Sequence, residues 1–114
     1  YMSDLSSGAL TEAVYYILLS LIEPCHGYGI MQHVEKLSNG RVRLAAGTLY
    51  GAINSLLEKN WVKALDNPSD SRKKDYQITD LGYRALNSEI NRLKELYDNG
   101  LSIIKETMYE ENNS

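Results

Sequence analysis

The segment 46-AGTLYGAINSLLEKN-60 decides the fold. Leu49, Ile53, Leu56 and Leu57 recur at helical spacing and predict one core-facing stripe. At about 100° per residue, Gly47, Gly51, Asn54 and Ser55 gather on the opposite side, where a soluble helix ordinarily carries Lys and Glu. Two interior glycines cost a helix roughly 1 kcal/mol each relative to alanine. A helix that carries this cost is one that something approaches closely, either a nucleic-acid groove or another helix.

C-terminal to this segment, 61-WVKALD-66 reads as a strand, 67-NPSDS-71 as a turn with Pro68 in its second position, and 72-RKKDYQI-78 as the returning strand. Thr79 is an N-cap candidate for one long terminal helix reaching about Met108, with 98-DNG-100 marking a bend and 110-EENNS-114 fraying. On the N-terminal side, 41-RVRLAA-46 is a short basic connection. Before it, 25-CHGYGIMQHVEKLSNG-40 reads as a second helix, with Ile30, Met31, Val34 and Leu37 on one face. Thr11 is an N-cap candidate for a buried first helix, 12-EAVYYILLSLIE-23, ended by Pro24. Three helices, a hairpin and a long last helix make a mainly α chain with winged helix-turn-helix architecture. Residues 8–78 are the expected DNA-binding domain, and 79–110 the expected dimerisation helix.

The formal net charge is −3, with one cysteine and 43% hydrophobic residues in 114. Residues 1–31 carry −3 and residues 75–114 carry −4, while residues 32–74 carry eight cations against four acids. The basicity is therefore confined to the block that holds the bare helix. A single Cys25 excludes an intrachain disulfide and fits a reducing compartment. The longest apolar run, 13-AVYYILLSLI-22, is too short to span a bilayer and lacks the flanks of a secretory signal, so a cytoplasmic location with no membrane partner is expected.

In a winged helix the third helix enters the major groove of double-stranded DNA and the wing reaches the neighbouring backbone. Gly47 and Gly51 would let the helix backbone approach; Asn54 can pair with an adenine edge; Thr48, Tyr50 and Ser55 can donate to phosphates. Lys59 at the helix end, Arg41 and Arg43 on the approach, and Arg72, Lys73 and Lys74 on the hairpin complete the candidate DNA-facing set. The alternative for the glycines is close helix packing, and for the hairpin cations a solvated wing that discourages edge pairing. A winged helix that serves as a protein-interaction or scaffold module is the alternative function.

The motifs 26-HGYGI-30, 47-GTLYGAINSLLEKNWV-62 and 76-YQITDLG-82, at these separations, resemble the PadR family of bacterial and archaeal transcriptional regulators over roughly residues 8–90. The resemblance implies that 48-TLY-50 opens the recognition helix, that the hairpin is the wing, and that the terminal and first helices build a homodimer. It implies a repressor released by a small molecule or stress signal, in the short form with one helix after the wing. Many members carry Pro where this chain has Gly51, which implies a looser helix start here.

Leu86, Ile90, Leu93, Tyr97, Leu101, Ile104 and Met108 form an apolar seam along the terminal helix, which spans ~40 Å and exceeds what so small a body can cover. A second copy is the expected cover. Nine tyrosines and no phenylalanine make Tyr15, Tyr16 and Tyr97 candidates for an aromatic-effector site, with ordinary packing as the alternative. Cys25, His26 and His33 do not converge at metal-ligand spacing, so no metal or cofactor is expected; His26 reads as a cap and Cys25 as packing. Trp61 is expected against the long helix. No nucleophile-base pairing or phosphate loop appears, and no enzyme is expected.

Overall fold

The computed structural model describes residues 9–70 and 72–113. Position 8, where the DNA-binding domain was expected to begin, and Ser71 of the hairpin turn lie outside the described residues. The elements are α1 (Glu12–Ser20), β1 (Cys25–His26), α2 (Gly27–Leu37), α3 (Ala46–Glu58), β2 (Val62–Asp66), β3 (Lys74–Ile78) and α4 (Asp80–Asn113). The architecture is a winged helix-turn-helix followed by a long helix.

Capping sets the helix starts. The Thr11 hydroxyl accepts from Val14 N at 3.2 Å and the His26 imidazole Nδ1 accepts from Gly29 N at 3.0 Å, each satisfying an otherwise orphaned first-turn donor. Thr79 does the same for α4, accepting from Gly82 N at 3.1 Å, while its own hydroxyl donates to the Asn60 carbonyl at 2.6 Å. α2 stops at 38-SNG-40, where Asn39 and Gly40 take φ of 53° and 80° and Gly40 N donates to Glu35 O.

Three element boundaries expected from the sequence are corrected. The segment 25–40 is not one helix: Cys25 and His26 form a third strand, pairing antiparallel with Tyr76 and Asp75, so the sheet order is β1-β3-β2. A two-residue strand has no periodicity to read. The first helix ends at Ser20 rather than Glu23, because the Leu21 carbonyl is taken by Ile78 N of β3 at 2.9 Å. The hairpin also begins its return strand later than read, at Lys74, which leaves Arg72 and Lys73 in the turn.

One core unites these pieces. Ile17, Leu18, Leu21, Ile30, Val34, Leu49, Ile53, Leu56, Val62 and Leu86 are buried together, so every helix and the wing contribute. Leu86 was expected in the dimer seam, but it is 3% exposed within this chain and belongs to its own core. The reason is the close seat of α4: a Cβ at Gly82 would collide with the Trp61 carbonyl, so glycine lets the helix cross that backbone directly. α4 then runs unbroken through 98-DNG-100 to Asn113, about 51 Å at 1.5 Å per residue, within a molecule 68 Å long.

Candidate nucleic-acid interface

α3 packs Leu49, Ile53 and Leu56 inward and turns Gly47, Thr48, Tyr50, Gly51, Asn54 and Ser55 outward. A Cβ built on Gly47 or Gly51 meets nothing within 4 Å. Packing among the described residues therefore does not explain these glycines. The side chains of Thr48, Asn54 and Ser55 have no hydrogen-bond partner among the described residues. The helix start is regular from Ala46, and Ala45 provides no side-chain cap, so the first-turn N–H groups face outward with the positive end of the helix dipole. The looser start implied by Gly51 is not found, since Gly51 lies more than a turn inside a continuous helix.

Tyr50 leans from α3 toward the wing. Its hydroxyl sits over Gly27, where a Cβ would collide with it, so the glycine that opens α2 makes room for the tyrosine that opens α3. This is the physical link between the HGYG and TLY motifs. Together with His26, Tyr28, Tyr76, Arg72, Lys73 and Lys74 they line an open cleft of about 590 Å³ between α3 and the wing. Burial, then the neighbouring Tyr50, hold the Tyr76 hydroxyl above the ordinary phenol range against the opposing charge of Lys74. It stays neutral and can donate. Tyr28 was missed in the sequence, because only the added strand β1 brings the start of α2 beside Tyr76 of the wing.

The wing is less basic than its sequence implies. Lys74 pairs with Asp66 directly across the ladder at 2.6 Å, and Arg72 pairs with Asp70 at 3.3 Å. These partners hold both aspartates below the usual carboxylate range, through Lys74 for Asp66 and through Arg72 for Asp70. Asn67 shapes the turn by accepting from Ser69 N and Asp70 N and donating to Asp75 at 3.0 Å. Both cations are exposed, though Asp70 is half-buried, so a phosphate can compete for them at small cost.

The remaining candidates lie elsewhere. Lys59, at the far end of α3, stacks over the Trp61 ring with its Nζ 4.9 Å from the centroid. Arg43 is exposed, with its guanidinium near Gly40. Arg41 is bound to Glu12 at the start of α1, with Nε 2.9 Å from the carboxylate. It lines a second cleft, of about 330 Å³, with Leu10, Tyr15, Tyr16, Glu89, Arg92 and Leu93. Tyr15 and Tyr16 meet edge to face there, centroids 5.7 Å apart. Tyr97 does not join them: it is 67% exposed further along α4. At the cleft floor Glu89 is 2% exposed, accepting two bonds of 2.7 Å from Arg92 and one of 3.1 Å from Leu10 N. Nothing in the sequence marked Glu89, because a Glu-Arg spacing of three on a polar helix reads as a surface pair.

Cys25 is half-buried against Gly29, and its thiol is raised by burial and then by Asp75. Among the described residues, no three His, Cys, Asp or Glu side chains gather as a metal site, and no helix is long and apolar enough to cross a membrane.

The family model described as "Transcriptional regulator PadR-like family" matches residues 17–88. No curated protein matches the chain. Among solved structures, a transcriptional regulator from Clostridium thermocellum is similar at a TM-score of 0.68 and 23% identity, over 90% of this chain and 95% of that one. A PadR family transcriptional regulator from Eggerthella lenta DSM 2243 has a TM-score of 0.62 and 25% identity, over 80% of each chain. BpsR of Bordetella bronchiseptica, whose DNA binding is regulated by 6-hydroxynicotinic acid, has a TM-score of 0.63 and 17% identity, over 82% of this chain and 66% of that one.

Proposed function

This chain belongs to the PadR-like family of transcriptional regulators, and from that premise we propose that it binds operator DNA as a homodimer and represses transcription there. The open outer face of α3 carries the reading. Among the described residues, Gly47 and Gly51 border empty space, and the hydroxyl and amide groups of Thr48, Asn54 and Ser55 are unspent. This face enters the major groove. Arg72, Lys73 and Lys74 border the cleft beside it and neutralise phosphates, helped by the Tyr50 hydroxyl. Arg43 adds charge on the approach to the helix. Arg41 and Lys59 contribute less, since neither borders the cleft between α3 and the wing.

From Ile90 onward α4 presents an exposed apolar face, with Ile90, Leu93, Tyr97, Leu101, Ile104 and Met108 all exposed. Leu96 and Ile103 widen this apolar face. A second copy covers it and places two recognition helices on one duplex. Release by a small aromatic molecule fits the cleft at Tyr15 and Tyr16, because Leu93 is both a wall of that cleft and part of the α4 face. A ligand there bears on the dimer geometry.

The test is duplex binding followed across salt. Wild-type protein should retain duplex with an affinity that falls steeply as salt rises. The Arg72→Ala, Lys73→Ala, Lys74→Ala triple variant should bind every duplex about tenfold more weakly, with a log-log salt slope shallower by up to about 3. A protein that retains no duplex at low salt would favour the interaction-module alternative.

A further inference from the structure

The DNA-facing surface of α3 is restricted in what it can read. At about 100° per residue, Gly47, Gly51, Asn54 and Glu58 fall on one line along the exposed side of the helix, with Thr48 and Ser55 to one flank and Tyr50 to the other. No Arg or Lys stands on this line. The nearest cation, Lys59, is at the C-terminal cap and turned over Trp61. Guanine is read in the major groove chiefly by Arg or Lys across its O6 and N7, whereas Asn pairs with adenine N6 and N7. Among these outward residues Asn54 alone carries an amide that can both donate to and accept from one base edge.

Asn54 is also short. Its amide atoms lie two bonds beyond Cβ, so it reaches a base edge only if the helix backbone itself comes near the groove floor. Gly51, one turn before it, and Gly47, a further turn on, border open space and permit that approach. Glu58, one turn beyond, resists it through like charge against phosphate. The helix therefore enters by the outer line from Gly47 to Asn54, with Glu58 at the edge of the contact.

We infer that Asn54 is the specificity-determining residue, that it selects an A·T pair in each half-site by a two-bond contact to adenine, and that guanine is disfavoured at that pair. This rests on the DNA-binding reading above and assigns the operator a chemistry. The glycines and Asn54 then form one device, in which a short reader requires a close helix.

The experiment selects duplexes from a random pool with the wild-type protein, then measures binding to the selected site and its point variants at fixed salt. One position per half-site should be A·T. There Asn54→Ala should lose discrimination by roughly tenfold or more, weakening the selected site more than random duplex. Replacing that adenine by 7-deazaadenine, which lacks the N7 acceptor, should weaken the wild type but not Asn54→Ala. Asn54→Arg should move the preference at that position to G·C. The inference is overturned, with DNA binding intact, if Asn54→Ala weakens all duplexes equally or if 7-deazaadenine costs the two proteins the same. A wild type with no preference for any duplex over the random pool would instead defeat the operator-binding reading itself. Thermal melting of each variant excludes misfolding, which an exposed Asn54 does not predict.

Discussion

Two faces of this chain are uncovered, and they are uncovered in opposite ways. The outer face of α3 lacks side chains where a helix usually has them, and its few polar groups are small and unspent. The outer face of α4 has large apolar side chains where water should meet Lys and Glu. Each departs from an ordinary surface helix at a cost, in propensity for α3 and in exposed apolar area for α4. The difference points to different complements. A face emptied to the backbone suits a rigid polar groove, and a face filled with leucine and isoleucine suits another apolar helix.

The largest effect should come from filling the empty face. Gly51→Glu adds a carboxylate where nothing lies within 4 Å, so the fold has no reason to object, and glutamate is a far better helix former than glycine. Specific operator binding should fall toward the nonspecific level, about 10³-fold or more, while the melting temperature stays level or rises. If the variant instead loses stability but binds DNA normally once folded, the α3 face meets protein and the contrast between the two helices disappears.

Emptying the filled face should come next. Ile104→Glu is a cleaner choice than Leu93→Glu, because Leu93 also walls the Tyr15 and Tyr16 cleft. Ile104 touches none of the buried core, so the monomer should fold. Light scattering should give the mass of one chain, and affinity for a two-half-site operator should drop by about 10²–10⁴-fold, the loss expected when a second linked site is removed. Binding to an isolated half-site should be unchanged. A wild-type protein that is already monomeric at micromolar concentration would break the comparison at once.

Legibility in the sequence differed between these regions for physical reasons. The bare face of α3 could be read because glycine position and helical period are both local, and the Thr11, His26 and Thr79 caps were legible likewise. What failed was long-range. Strand β1 forms only because β3 offers Tyr76 and Asp75 as partners, and Leu86 leaves the apolar seam only because Gly82 lets α4 press on the Trp61 carbonyl. The tyrosine trio failed for the same reason: a seven-residue periodicity places Tyr97 in line with Ile90 but says nothing of where Tyr15 lies. The wing charges were legible as cations and not as pairs, since Asp66 faces Lys74 only after the hairpin sets its register.

The smallest effect on DNA binding should come from the joint between the two regions. Glu89 fixes the base of α4 to the segment entering α1, holding Leu10 N and both Arg92 donors while almost wholly buried. Its carboxyl is held below the usual range, first by the Arg92 hydrogen bonds, against the opposing effect of burial. Because the folded pKa lies below the unfolded one, the carboxylate contributes stability that is fully present above the glutamate range near ~4.3 and is lost as pH falls through the folded pKa. Glu89→Gln keeps one acceptor but turns an amide toward Arg92, which should cost on the order of 1–3 kcal/mol at neutral pH. It should also remove part of the acid slope, so urea midpoints of the two proteins converge as pH is lowered. Operator affinity at neutral pH should barely change, since Glu89 lies off the α3 face and its bonds run to Arg92 and Leu10. If the midpoints of both proteins fall in parallel with acid, Glu89 does not titrate with unfolding.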